Sequence, residues 1–223
     1  MGPDREALLA RPPGRPRVEP GAASGRRTLL PALLLAASLA APAPVPADMI
    51  DTEGMEPYEV CGLCHGLTGL SHSAKFPRLA GQRAAYIEKQ LHDIRAGLRS
   101  NDGGQMSAIV TEVAEADIPT IAAWFAHQDA PEPDAPEGDA TAGARLYAEL
   151  DCAACHGAAD PPEGLVPPRL FAQHERYLVK QLEDFREGRR GNDPGGVMRE
   201  RAAGLDDAAI AALAAYLAST PRD

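Results

Sequence analysis

Aromatic side chains are scarce in this chain: one Trp, five Tyr and four Phe, 4% of 223 residues. Folded as two small domains, such material has few large side chains to fill a core and would be marginal on burial alone. Something other than protein is therefore expected in the interior. Positive charge is also short, with 22 Lys and Arg against 32 Asp and Glu and a formal net charge of −10. No basic stripe suited to nucleic acid appears. Alternation of apolar and polar residues is missing over any useful length, which argues against strands. A composition of 44% hydrophobic and 24% charged residues excludes both intrinsic disorder and a membrane bundle.

An apolar run, Leu29 to Ala40, lies near the N-terminus behind Arg11, Arg15, Arg17, Arg26 and Arg27. Small residues follow, ending at Ala47. Residues 1–47 thus read as a signal peptide that is cleaved on export, which places the remainder in the periplasm. An uncleaved anchor, with weak membrane association, is the alternative; the run is short for a span and contains Pro31. The lead holds six Arg against three acids, so the rest carries 16 basic and 29 acidic residues, a formal net of −13. Such a surface is either plainly solvated or steers the protein toward a basic docking patch.

What remains is one module written twice. A shift of 91 residues lays Cys61, Cys64 and His65 on Cys152, Cys155 and His156. In the same register Pro77 to Asp102 covers Pro168 to Asp193, with Tyr86 on Tyr177 and Lys89-Gln90-Leu91 on Lys180-Gln181-Leu182. Pro194 is then one extra residue, after which Met106 meets Met198 and Trp124 meets Tyr216. Two copies are too few for a solenoid, so the chain reads as tandem domains: 48–130, a Pro- and acid-rich linker at 131–139 that should be extended and semi-rigid, and 140–223. Helical spacing of Ile87, Leu91, Ile94 and Leu98, of Leu178, Leu182 and Phe185, and of both closing segments makes the fold all-α. Gly97 and Gly188 fall where helices should end, and Asp117 and Asp206 where they should begin. ATAGARLYAEL before Cys152 is a plausible helix; its counterpart before Cys61 carries Gly54 and Pro57 and is a poor one.

All four cysteines lie in CGLCH and CAACH. In C-x-x-C-H the thiols stand one helical turn apart, where each can add to a haem vinyl group, and the adjacent His is carried under the iron. Disulfides, a zinc ribbon and a thioredoxin-like site are the alternatives. Against them, 87 residues separate Cys64 from Cys152, no βαβ pattern is present, and a His follows each pair. Two covalent haem c groups, on Cys61 and Cys64 and on Cys152 and Cys155, with His65 and His156 on the irons, would also supply the missing core.

Candidates for the sixth ligand are His72, His92, His127 and Met106 in the first copy, and His174 and Met198 in the second. His174 falls opposite Arg83, so a bis-His scheme would use unrelated positions. Met106 and Met198 lie 41 and 42 residues past their motif histidines, each in a Gly-rich loop between helices. A lone Met is ordinarily a core gap-filler, but matched placement favours ligation. Pro77 and Pro168 each lie 12 residues after a motif His. Their carbonyls are candidates to accept the second ring N–H and fix the imidazole, or the prolines simply open the next segment.

CxxCHG, then PxL, then Y(I/L)xKQLxDxRxGxRxND, then the loop methionine, twice over, resembles the dihaem cytochromes of the cytochrome c4 type, tandem class I c-type domains. The resemblance covers about residue 50 to the end. It implies two helical domains related by a pseudo-twofold axis, His/Met-ligated haems near their interface, and periplasmic electron transfer. It also implies that Pro77 and Pro168 accept the histidine bonds. A non-enzymatic electron carrier is expected, acting with a quinol-cytochrome c reductase, a haem-copper terminal oxidase or a periplasmic dehydrogenase, and with no small-molecule substrate. A subunit fixed to a dehydrogenase and a dihaem peroxidase-like enzyme are the competing readings; the enzyme needs an open position at iron.

Overall fold

The computed structural model describes residues 53–157, 159 and 161–222. The signal-peptide reading lies outside them. Nine α-helices run among the described residues: α1 (Pro57–His65), α2 (Ala84–Arg95), α3 (Gln105–Glu112), α4 (Ile118–Ala126), α5 (Ala140–Glu149), α6 (Ala153–His156), α7 (Glu175–Arg186), α8 (Val197–Ala202) and α9 (Asp207–Ser219). Short 3₁₀ turns, Glu115–Asp117 and Pro194–Gly196, precede α4 and α8. No strand occurs among the described residues, and no single helix there is long and apolar enough to cross a membrane.

The repeat is visible as pairs of elements: α2 with α7, α3 with α8, and α4 with α9. On α2 the helical stripe Ile87, Leu91 and Ile94 is buried against Ile118, Ile121 and Phe125 of α4. Leu98 does not extend the stripe: Gly97 ends the turn in the left-handed region at φ 71°, the Leu98 N–H bonds back to the Asp93 carbonyl at 2.8 Å, and the Leu98 side chain is left exposed. The second core gathers Leu178 of α7 with Leu213, Ala214 and Leu217 of α9. Asp206 caps α9 through the Ala209 N–H at 2.8 Å. Asp117 also precedes its helix but makes no capping bond, because the 3₁₀ turn already leads the backbone into α4.

The copies differ where the N-terminal helix should sit. In the second half α5, capped by Asp139 on the Ala142 N–H at 2.9 Å, crosses α9 at close quarters. A Cβ on Gly143 would lie 1.9 Å from the Ala212 carbonyl oxygen, so only glycine permits that approach. Tyr147, Phe171 and Tyr216 pack there with ring centroids 5.5 to 5.9 Å apart. The first half has no counterpart of α5 among its described residues. Pro57 opens α1 just four residues before Cys61, and the helix runs straight through the motif. Closure comes instead from Tyr58 stacked on Trp124, centroids 3.9 Å apart, with the indole N–H donating to the Leu67 carbonyl at 2.8 Å.

Reciprocal contacts join the halves. The Gln82 side-chain amide accepts from the Arg169 N–H at 2.8 Å and donates to its carbonyl at 2.9 Å. Gln173 does the same to Arg78, at 2.8 and 2.9 Å. The linker is pinned to both sides: Arg78 bonds Asp134 at 2.8 Å, and the Asp134 N–H reaches the Ala218 carbonyl at 3.0 Å.

Candidate functional site

Both motif cysteine pairs sit on helical turns, on α1 in the first half and at the start of α6 in the second. All four thiols are free, with no disulfide among them. Within each pair the roles separate. Cys61 and Cys152 pack against the hydrophobic cores, while Cys64 and Cys155 line a cavity of about 880 Å³ between the halves. Burial pushes the Cys61 thiol up to about 11 and also raises Cys152.

The same cavity receives His65 and His156. His65 Nδ1 donates to the Pro77 carbonyl at 2.9 Å, and His156 Nδ1 to the Pro168 carbonyl at 2.9 Å. A carbonyl only accepts, so the proton is on Nδ1 and the Nε2 lone pair is left facing away from the bond. Burial lowers both histidine pKa values, more than the proline carbonyls raise them, and keeps the rings neutral. Neutral imidazole is the form that binds metal. His65 Nε2 is buried with no hydrogen-bond partner, an uncommon state that calls for another group to take the lone pair.

Met106 and Met198 also line this cavity, whereas none of His72, His92, His127 and His174 does. His72, His92 and His127 are solvent-exposed. His174 is committed elsewhere, its Nε2 donating to the Ser71 carbonyl at 2.9 Å. Each methionine sits in the first turn of a short helix, α3 or α8, rather than in the loop itself. The helix begins so early because Asp102 collects the Met106 N–H at 2.6 Å and the Ser107 N–H at 3.1 Å. Burial works against the Asp102 carboxylate, but the N–H groups around it hold its pKa below the usual value. In the second half Asp193 reaches one residue further, to the Arg199 N–H at 3.0 Å.

A polar network crosses the interface between the halves. Arg99 donates to Gln90 at 2.8 Å within its own half and to Tyr177 at 3.1 Å in the other. Arg190 mirrors it, to Gln181 at 2.8 Å and Tyr86 at 3.1 Å. The signal was present in the sequence as identity of Tyr, Gln, Arg and Asn in both copies.

An apolar cavity that meets two CxxCH turns, with an unpartnered imidazole nitrogen and a thioether in reach of it, is the donor set of a c-type haem site. The cytochrome c family model matches residues 140–221. Cytochrome c4 of Pseudomonas aeruginosa is 37% identical over 200 residues, 85% of this chain and 96% of that one. The crystal structure of reduced recombinant cytochrome c4 from Pseudomonas stutzeri superposes with a TM-score of 0.61 at 35% identity, covering 76% of this chain and 98% of that one. The thiosulfate dehydrogenase electron acceptor of Stutzerimonas stutzeri is 36% identical over 173 residues, 71% of this chain and 78% of that protein.

The protein is thus a dihaem c-type cytochrome of tandem class I domains that carries two covalently attached haem c groups and transfers electrons to and from redox partner proteins. The chain belongs to the cytochrome c4 family.

Proposed function

We propose that Cys61 and Cys64 hold the first haem, with His65 and Met106 on its iron, and that Cys152, Cys155, His156 and Met198 do the same for the second. Domains of 48–130 and 140–223, joined by 131–139, each enclose one group. The observation that carries the assignment is the His65 ring: one nitrogen is tied to Pro77, and the other is buried and unpartnered beside the cavity that Met106 shares. Haem c, when bound, supplies one-electron chemistry. The protein's part is to hold its ligands still. Pro77 and Pro168 fix the tautomer and plane of each imidazole, the cores close around the first cysteines, and the paired Gln82 and Gln173 amides keep the halves in register.

With a His and a Met assigned to each iron, no exchangeable position remains for a small-molecule substrate, so the chain is a carrier and not an enzyme. Export to the periplasm on the 1–47 signal follows from the Arg-led apolar run. The relative named as an acceptor for thiosulfate dehydrogenase favours a periplasmic dehydrogenase as donor. A quinol-cytochrome c reductase or a haem-copper oxidase completes the route. Salt-sensitive association with the partner marks a diffusing carrier, and co-purification at high salt marks a fixed subunit.

The test is the absorption spectrum of the oxidised protein. Its long-wavelength sulfur-to-iron band should weaken in two steps, once in Met106→Ala and again when Met198→Ala is added. A band unchanged in both single variants would overturn the ligand assignment.

A further inference from the structure

The methionine-bearing loops carry contacts that ligation itself does not require. Asn101, in the first half, donates from Nδ2 to Asp184 Oδ2 at 2.6 Å and to Gln181 Oε1 at 3.1 Å, both on α7 of the second half. Lys180, one turn before Asp184 and paired with it, donates to the Asn101 carbonyl at 2.6 Å. One helix face of the second half thus grips the first loop by side chain and backbone together. The next residue, Asp102, holds the Met106 N–H. Between Asp102 and Met106 lie Gly103 and Gly104, both with positive φ, so the loop has little stiffness of its own.

The construction is reciprocal. Asn192 of the second half donates to Asp93 Oδ2 at 2.6 Å and to Gln90 Oε1 at 2.9 Å on α2 of the first half. Lys89, paired with Asp93, reaches the Asn192 carbonyl at 2.9 Å. Asp193 then takes the N–H of Arg199, the residue after Met198.

We infer that Lys180 and Asp184 are positioning residues for Met106, and Lys89 and Asp93 for Met198, so that docking of the two halves sets how firmly each methionine is presented to the cavity. This rests on the methionine-ligand reading above. The two grips are unequal. Asp184 has a third donor, Arg189 Nε at 2.7 Å, and its side chain is 2% exposed. At the position equivalent to Arg189 the first half has Leu98, which is exposed, and the Asp93 side chain is 13% exposed. A buried carboxylate with three charge-assisted or amide donors makes the stronger anchor. The grip on Met106 is therefore the tighter one.

The experiment uses the full haem-loaded chain, oxidised, with imidazole as a competing iron ligand and loss of the sulfur-to-iron band as the readout. In a Met198→Ala background the remaining band reports Met106. Adding Asp184→Asn there should lower the imidazole concentration that abolishes it by about tenfold, the loss of one charge-assisted hydrogen bond. In a Met106→Ala background the same change should leave the Met198 band unmoved. Asp93→Asn should give the opposite pattern. Arg189→Leu, at a half-exposed side chain with little bearing on folding, should weaken Met106 alone and by less than Asp184→Asn. An Asp184→Asn effect equal on both bands, or confined to Met198, overturns the inference, as does a Met106 band indifferent to both Asp184→Asn and Arg189→Leu. Lack of the band in the wild type would overturn the ligand reading and this inference with it; a band that is present but indifferent overturns this inference alone.

Discussion

The two halves of the molecule close the same ring of helices by different means. The second half brings α5 against α9 at a crossing that only Gly143 allows and fills it with three aromatic rings. The first half stacks a single pair, Tyr58 on Trp124, and anchors the indole to the Leu67 carbonyl next to the haem motif. In both, the motif histidine bonds a proline carbonyl at 2.9 Å and the methionine reaches the same cavity. The comparison teaches that the invariable part of this architecture is the approach of the His and Met elements to the cavity. The N-terminal closure is a separate stabilising device, and it can be exchanged.

Breaking that closure in one half should expose the independence directly. Gly143→Ala forces a methyl into the Ala212 carbonyl and should cost the second half about 3 kcal/mol. Trp124→Ala removes the first half's ring stack and its Leu67 bond and should cost about 2 kcal/mol there. Denaturant unfolding of the haem-loaded protein, followed by circular dichroism, should show an early transition in each variant. A Gly143→Ala protein as stable as the wild type would mean that α5 moves away from α9 at no cost.

A smaller effect should come from pH, because one half is titratable where the other is not. His174 takes the place of Arg83 and is buried at the interface. Burial lowers its pKa first and Arg78 lowers it further, more than the Ser71 carbonyl and Asp134 raise it. A base with a folded pKa below its unfolded value binds fewer protons in the native state. Its contribution is therefore complete above the unfolded value of about 6.5 and is lost as pH falls from there toward the folded pKa. Stability should decline across that window, and His174→Gln should flatten the decline. An unaltered pH profile in the variant would remove His174 from the account.

The least change is expected at Pro194, the single insertion that separates the methionine loops. It begins the Pro194–Gly196 turn, and its half's Asp193 caps Arg199 where Asp102 caps Met106 itself. The two reduction potentials should differ partly for this reason. Deleting Pro194 should narrow the gap in a redox titration; equal potentials in the wild type would refute the link.

Much of this was legible in the residues. Helical stripes at Ile87, Leu91 and Ile94, and at Leu178 and Phe185, predict α2 and α7; Gly54 with Pro57 makes a poor helix before Cys61, and among the described residues helix there begins only at Pro57. For His65–Pro77 and His156–Pro168 the 12-residue spacing leaves two readings open, an acceptor carbonyl or a proline that only opens the next segment, and the family resemblance favours the bond that is present in both halves. The helices bearing Met106 and Met198 were less visible. Paired glycines read as loop, and the compensating Asp102 carboxylate acts across a turn that propensity does not describe. The crossing contacts of Asn101, Asn192, Arg99 and Arg190 were illegible for a different reason: identity in both copies shows that a residue matters twice, but not which copy it touches.

The amides of Gln82 and Gln173 carry a consequence for how the halves pair. Each reads the other half's backbone, not its side chains, and each supplies what the other receives. That is the self-complementary geometry of a symmetric homodimer. A single half with these residues would present the same contacts to a second copy of itself, and the 131–139 linker makes that pairing intramolecular.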